Sequence, residues 1–335
     1  MTVKLGINGF GRIGRDVLRC VLEQPSSSIE VVAVNDITSP EALAHLLRYD
    51  STYGRLTMPV EVHDSTIEVG GHRMRVTDHR VPADLPWGEL GVDVVLESTG
   101  RFRTRDAAAA HLGAGARKVV ISAPGKGVDA TIVLGVNEDD YNPGAHHILS
   151  NASCTTNCVA PMVKVLHRAF GVRRGLMTTI HSYTNDQALL DGPHKDPRRG
   201  RSAAVNMIPT STGAAKAIGE VIPELAGKLD GVAVRVPVED GSLTDLSVEL
   251  DRPVTAQEVN RAFAEAAEGD LKGLLRYTED PIVSRDIVGD SASCVFDASL
   301  TKTEDHLAKV FGWYDNEWGY ANRTVELIEL IGHTL

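Results

Sequence analysis

The sequence predicts an α/β fold whose first half is a doubly wound parallel sheet, and three observations predict it. A short apolar run at 3–8 leads straight into "GFGRIG" and then into a segment of helical periodicity. A second run, "IEVVAVND" at 29–36, ends on an acid 22 residues after Gly14. Two further runs, "VDVVLE" at 92–97 and "RKVVIS" at 117–122, are apolar without alternation, as strands covered on both faces are.

Taken in order, the first strand, turn and helix bring Gly9, Gly11 and Gly14 into the G-x-G-x-x-G spacing. Such glycines permit a tight turn, close approach of backbone N–H groups to a pyrophosphate, and close helix–strand packing. The helix also points its positive end at the phosphates. The spacing alone is a weak signal. Asp36, at the end of the second strand, strengthens it, because an acid there accepts the ribose hydroxyls of NAD and repels the extra phosphate of NADP. Residues 60–76 alternate and contain Gly70–Gly71, which reads as an inserted hairpin. "DAAAAHLGAG" reads as the crossover helix between the next two strands. The loops "STGRF" at 98–102 and "SAPGKG" at 122–127 fall where doubly wound sheets bind ligands, and their residues suit an ordinary turn equally well.

Bulk properties set outer bounds. The 335 residues suffice for two domains, and 42% hydrophobic with 24% charged residues is a globular composition. The net charge of −11 argues against a general nucleic-acid or membrane binder, so an anionic ligand must be held by a local cluster of donors. No apolar run reaches the roughly 18 residues of a membrane span, and "MTVKLGINGFG" has no signal-peptide core. Four unevenly spaced cysteines give no disulfide framework. The expected compartment is therefore the cytoplasm.

The second half opens on "SNASCTTNC" at 150–158, followed by helical spacing, with Asn151 or Ser153 as the cap. Cys154 then lies in the first helical turn, where orphan N–H groups and the helix dipole favour a thiolate. Cys158 has no companion pair at zinc spacing, so no metal site is expected. It reads as a core residue, as do Cys20 and Cys294. His181 closes the apolar part of a strand in "GLMTTIHSYTND" and is the candidate base for Cys154. The polar stretch 191–204 carries Lys195, Arg198, Arg199 and Arg201 and reads as a solvated loop or a subunit contact. Thr212 and Gly213 precede an alanine-rich segment expected to be a helix with an anion-binding N-terminus. Arg235 sits in the apolar strand "GVAVRVPV" and needs a carboxylate or a ligand phosphate as partner.

The motifs "KLGINGFGRIGR", "AVND", "LRYDSTYGR", "ESTG", "SNASCTTNC", "HSYTNDQ", "PTSTGAAKA", "RVPV" and "WYDNEWGYANR" run along essentially the whole chain. In this order they resemble NAD-dependent phosphorylating glyceraldehyde-3-phosphate dehydrogenase. The resemblance implies a Rossmann-type NAD-binding domain at 1–152 and an α+β catalytic domain with a mostly antiparallel sheet at 153–316. It also implies that a C-terminal helix within 317–335 packs back on the first domain, and that the assembly is a homotetramer.

By motif, Cys154 would attack the aldehyde and form a thiohemiacetal, His181 would take its proton, and inorganic phosphate would cleave the resulting thioester. The phosphate of glyceraldehyde 3-phosphate would sit on Thr184, Arg235 and Arg199. The attacking phosphate would sit on Ser153, Thr155, Thr212 and Gly213. The cofactor would contact Arg12, Ile13, Asp36, Arg80, Ser122 and Asn316, besides the glycine turn. Two departures stand out: Glu239–Asp240, where the family more often has a neutral pair, and Ala188–Leu189. The pair reads as a solvated turn, whereas a carboxylate of it that faced the anion site would disfavour anionic ligands other than the substrate, as in an inhibitor-tolerant second copy of the enzyme. The rival readings are an erythrose-4-phosphate dehydrogenase and a non-enzymatic binding protein on the same fold.

Overall fold

The computed structural model describes residues 2–24 and 26–335 as two units. The first comprises residues 1–132, 139–152 and 321–335. Its strands are β1 (Val3–Asn8), β2 (Ile29–Asn35), a small pair β3 (Tyr49–Asp50) and β4 (Gly54–Arg55), then β5 (Val60–His63), β6 (Thr66–Val69), β7 (His72–Thr77), β8 (Val94–Glu97), β9 (Lys118–Ile121), β10 (Ala130–Thr131) and β11 (Ile148–Ser150). Nine of them form one sheet in the order β10-β11-β9-β8-β1-β2-β7-β6-β5. Pairing is parallel from β10 to β7, and only the β7–β6 and β6–β5 pairs are antiparallel. The order reverses direction at β1, which lies between β2 and β8, and a sheet of this topology opens a crevice at the carboxyl ends of those strands.

The local reasons are plain in the sequence. All four residues of β8 and of β9 are buried. Helix α1 (Arg12–Glu23) buries Val17, Leu18 and Val21 as its crossover to β2 requires. Helix α2 (Pro40–Arg48) is capped by the Ser39 side chain on the N–H of Ala42, and α3 (Arg105–Gly113) by Thr104 on Ala107. Within this unit the chain end returns to β1. Asn322 accepts from Gln24 and donates to Cys20 Sγ, Glu329 accepts from Ser27 and Ser28, and Gly332 lies against Val3. The segment expected to be an inserted hairpin forms one, and it also extends the main sheet. The Gly70–Gly71 turn joins β6 to β7, but β7 pairs in parallel with β2 and buries Met74 and Val76. Alternation carries the strand signal but not the identity of the partner strand.

The second unit comprises residues 133–138 and 153–320. It contains α4 (Cys154–Phe170), β12 (Val172–Ser182), β13 (Ile208–Ser211), the four-residue α5 (Ile218–Val221), β14 (Leu229–Val236), β15 (Ser242–Leu250), α6 (Ala256–Glu268), β16 (Leu275–Thr278), β17 (Cys294–Asp297), β18 (Lys302–Glu304) and β19 (Leu307–Tyr314). The sheet order is β13-β14-β12-β15-β19-β17-β16, with β18 on β19. Only β12–β14 and β16–β17 are parallel pairs. Strand β15 alternates buried and half-buried residues along its whole length, so the sheet has one core face and one outer face. Phe263 of α6 stacks on Phe296 at 3.8 Å on the core side, while Leu176 and Val232 stand exposed on their strands.

One expected element does not form. The alanine-rich stretch after Thr212–Gly213 is a series of turns, and the helix α5 begins only at Ile218 and lasts four residues. Ala214, Ala215 and Ile218 are buried, so packing rather than alanine propensity sets the backbone there. The helix N-terminus expected to receive an anion at Thr212–Gly213 is therefore absent.

Candidate functional site

Helix α4 places the thiol. Its N-cap is Ser153, whose Oγ accepts the N–H of Thr156 at 3.0 Å, so Cys154 is the first helical residue. Ala152, just before the cap, has φ +54°, a left-handed conformation that a residue with a Cβ adopts at some cost. His181, the penultimate residue of β12, presents its Nε2 to Cys154 Sγ at 3.4 Å.

The other edge of the imidazole meets a carbonyl and a guanidinium. His181 Nδ1 lies 2.8 Å from the Ser182 carbonyl oxygen, and Arg235 Nη1 lies 3.1 Å from Nδ1 while donating to the same oxygen at 3.0 Å. In the tautomer with the proton on Nδ1 directed at that carbonyl, Nε2 presents a lone pair to the thiol. Tyr314 meets His181 edge-on at 5.9 Å, and its hydroxyl lies 2.8 Å from both Thr155 Oγ1 and Thr179 Oγ1. The hydroxyl of Thr155, one of the residues expected at the attacking phosphate, is thus shared with Tyr314.

Burial opposes the expected thiolate. It pushes the Cys154 thiol up to about 11, against the pull of Arg235, even though part of the residue remains exposed. Burial, reinforced by Arg235, pushes His181 down to about 3. Desolvation thus works against the charge that the helix-start position favours.

Arg235 joins this pair to an anion site. Its Nη1 lies 3.1 Å from Thr184 Oγ1, and its buried Nε has no hydrogen-bond partner among the described residues. Thr184 donates in turn to Asp186, which also receives Arg199 Nη1 at 2.5 Å. Burial opposes ionisation of Asp186, but the Thr184 hydroxyl and Arg199 hold it below the usual carboxylate range. Arg199 reaches Thr210 Oγ1 at 3.0 Å and the Ser211 carbonyl at 3.4 Å, so Thr212 and Gly213 follow directly on a strand end that it grips. The structure therefore groups Cys154, His181, Thr184, Arg199 and Arg235, with Ser153 and Thr155 at the helix start.

The basic loop is partly self-neutralised. Arg201 pairs with Asp191, and Ala188 bridges the loop by backbone bonds to Arg199 and Ala203. Glu239, expected near the anion site, pairs with Arg285 at 2.7 Å, and Asp240 is buried against Asp315. The expected repulsion of anionic ligands by these two carboxyls loses its basis.

Asn316 follows β19. Its Oδ1 accepts from Ser182 Oγ at 2.8 Å and from Ser242 Oγ at 2.6 Å. Two hydroxyls on the oxygen turn the amide so that Nδ2 is the group left to donate.

In the first unit the residues fit a dinucleotide. Gly9 has φ +94°, and a Cβ there would come within 2.7 Å of the Thr99 backbone nitrogen. A Cβ on Gly14 would fall 2.3 Å from the Gly9 carbonyl oxygen, whereas one on Gly11 would meet nothing within 4 Å. Gly11 is the N-cap of α1, with no side-chain cap and no acid in the first turn, which begins with Arg12 and Ile13. An open, uncapped helix start is where a pyrophosphate binds.

The adjoining cleft has a volume of ≈ 250 Å³ and is lined by Gly9, Gly11, Asp36, Arg80, Ser98 and Thr99 among others. Asp36 lies one residue past β2 and accepts the Phe10 N–H at 2.9 Å through Oδ2, so Oδ1 can face a ribose. The Arg12 guanidinium is drawn aside to Asp50 at 2.5 Å, over the Tyr53 ring. Ser122 Oγ lies 3.2 Å from the Glu97 carbonyl oxygen, to which the Ser122 N–H also donates.

Several supporting residues escaped the sequence reading. Asn8 donates to Glu97 at 2.6 Å and accepts from Asn35 at 2.7 Å, which locks together the ends of β8, β1 and β2 beneath the glycine turn. Their only signal was a polar residue at the end of each apolar strand. Tyr314, Ser182, Ser242 and Asp186 gave no signal, because their partners are distant in sequence.

Comparison with known proteins follows the same division. A family model described as the NAD binding domain of glyceraldehyde 3-phosphate dehydrogenase matches residues 3–105, and one described as its C-terminal domain matches 153–316. The chain is 60% identical to glyceraldehyde-3-phosphate dehydrogenase of Streptomyces coelicolor over the full length of both. It is 58% identical to the enzyme of that name from Mycobacterium tuberculosis, again over both full chains. It is also 58% identical to the one from Geobacillus stearothermophilus, covering 99% of this chain and 98% of that one.

Proposed function

Because this chain belongs to the glyceraldehyde-3-phosphate dehydrogenase family, we propose that its Cys154–His181 pair oxidises glyceraldehyde 3-phosphate, with NAD and inorganic phosphate, to 1,3-bisphosphoglycerate in glycolysis. The observation that carries the reading is Cys154 Sγ at 3.4 Å from His181 Nε2, with the Arg235 donor group on the far side of the same imidazole.

Cys154 Sγ attacks the aldehyde carbon as its proton passes to His181 Nε2 and on to the carbonyl oxygen, giving a neutral thiohemiacetal and returning a neutral imidazole. Arg235 and Thr184, with Arg199 behind them, bind the substrate phosphate and set the aldehyde at the sulfur. NAD, when bound, supplies the acceptor for the hydride that leaves the thiohemiacetal carbon. His181 assists by taking the hydroxyl proton, so that a thioester remains on Cys154. Inorganic phosphate, held by Ser153, Thr155, Thr212 and Gly213, then attacks the thioester carbon and frees the thiol. Gly9, Gly11, Gly14, Arg12 and Ile13 would hold the pyrophosphate, and Asp36 the ribose. Arg80 and Ser122 would line the adenosine end. Asn316 Nδ2 would donate to the carboxamide.

On this reading residues 1–152 with the C-terminal helix form the NAD-binding domain, and 153–316 the catalytic domain. The exposed Leu176, Val232, Leu189, Leu190, Val205 and Met207 support assembly with further copies of the chain, to a homotetramer. Free cysteines support a cytoplasmic setting.

The decisive experiment is phosphate-dependent NADH formation with glyceraldehyde 3-phosphate and erythrose 4-phosphate as competing substrates. Glyceraldehyde 3-phosphate should be strongly preferred, and Cys154→Ala should abolish turnover while NAD still binds. A preference for erythrose 4-phosphate, or turnover by Cys154→Ala, would overturn the proposal.

A further inference from the structure

Two buried carboxyl groups outside the chemistry face one another in the second unit. Asp240 lies in the turn between β14 and β15, and Asp315 directly follows β19. Strand pairing sets Ser242 opposite Tyr314, which brings the two acids together. Each is 1% exposed, and their carboxyl groups share a hydrogen bond. Asp315 Oδ1 accepts the N–H groups of Glu317 at 2.9 Å and Trp318 at 2.6 Å, and its Oδ2 accepts that of Gly289 at 2.8 Å. Asp240 Oδ1 accepts the Gly241 N–H at 2.8 Å.

Three backbone donors stabilise negative charge on Asp315 and one does so on Asp240, so the single proton between them belongs on Asp240. The Asp240 turn cannot move aside easily. Gly241 has φ +87°, and a Cβ there would fall 2.2 Å from the Ser284 carbonyl oxygen.

We propose that Asp240 is a positioning residue which, as a neutral carboxylic acid, donates to Asp315 and so holds the turn that orients Asn316. Asn316 is the next residue in the chain, and the turn sets the position from which its Oδ1 meets the Ser182 and Ser242 hydroxyls. This inference rests on the assignment of Asn316 to the NAD carboxamide.

The surroundings agree. Burial first, then the charges of Asp315 and Glu317, push Asp240 up to about 9, and burial raises Asp315 as well. Of the neighbouring charges, Glu239 is bound to Arg285, and Asp286 accepts the Val283 N–H. At neutral pH the acid pair thus carries one negative charge. Above about pH 9 the loss of the Asp240 proton leaves two buried carboxylates in contact, and the turn opens.

The test uses the intact protein, first without NAD. An Asp in the unfolded chain ionises near 3.8, so the native state binds an extra proton between there and about 9, and stability falls as pH rises through that window. Asp240→Asn keeps an N–H donor for Asp315 and has no proton to lose, so its thermal midpoint should fall less over the same range. With NAD, the ratio of Kd at about pH 9.5 to that at about pH 7.5 should approach fourfold in the native protein, roughly the limit for one group titrating at about 9, and stay below about twofold in Asp240→Asn.

Equal slopes and equal ratios in the two proteins would overturn the proposal. If Asp240→Asn does not fold, the native protein decides alone, and a flat midpoint together with a flat Kd overturns it. Asn316→Ala separates the premise. Unchanged NAD affinity in that variant removes Asn316 from the cofactor site, whereas the slope of the midpoint without NAD still judges the acid pair.

Discussion

At the scale of single residues, the site is governed by competition between desolvation and one guanidinium. Arg235 lowers the Cys154 thiol and also lowers the imidazole of His181, while burial moves both toward their neutral forms. Replacing Arg235 by leucine should raise the thiol further and slow alkylation of Cys154 by a neutral reagent at mild alkaline pH by about tenfold, one unit of pKa. Alkylation rates followed against pH check the direction. His181 carries a stability signature as well. Its native value near 3 lies below the usual 6.5, so the unfolded chain binds the extra proton, and stability is present above about 6.5 and lost as pH falls toward 3. His181→Asn should make the acid limb of chemical denaturation shallower, and should slow acylation by roughly 10²–10⁴-fold.

At the scale of elements, the turn from β1 into α1 separates two roles for glycine. Gly14 faces a backbone oxygen at 2.3 Å from where a Cβ would sit, so Gly14→Ala should destabilise the protein by about 1–3 kcal/mol as an overpacked contact does. Gly11 has open space around it, so Gly11→Ala should leave the denaturation midpoint nearly unchanged and raise the Kd for NAD. The pair of measurements distinguishes a fold glycine from a ligand glycine. At the neighbouring strand end, Asp36→Asn keeps an acceptor for the Phe10 N–H but removes the charge. It should narrow the preference for NAD over NADP by about tenfold in Kd ratio, the loss of roughly 1.4 kcal/mol of repulsion.

At the scale of the whole molecule, the homotetramer proposed above would use the outer face of the second sheet. Leu176 is 69% exposed and Val232 51%, on adjacent paired strands of that face. The double replacement Leu176→Glu and Val232→Glu should leave the circular dichroism of the chain unchanged and lower its sedimentation coefficient. An unchanged coefficient would place the subunit contact elsewhere.

Much of this was legible in the sequence because local rules decide it. Glycine spacing, the acid after β2, the all-apolar strands and the Ser153 cap each act over a few residues, and they placed Gly9, Gly11, Gly14, Asp36 and Cys154. The Cys154–His181 pair was legible from two segment ends that bear the right chemistry. Three matters belonged to the tertiary structure alone. The chain after Thr212 became turns because burial of Ala214 and Ile218 overrode alanine propensity. Burial around Cys154 pushes the thiol up against the helix start, a sum over groups that no single segment contains. Glu239 and Asp240, adjacent and alike in sequence, parted: one met Arg285 at the surface, and the other met Asp315 in the interior. What a side chain is follows from the sequence, but the charge it carries depends on the solvent and partners that folding leaves it.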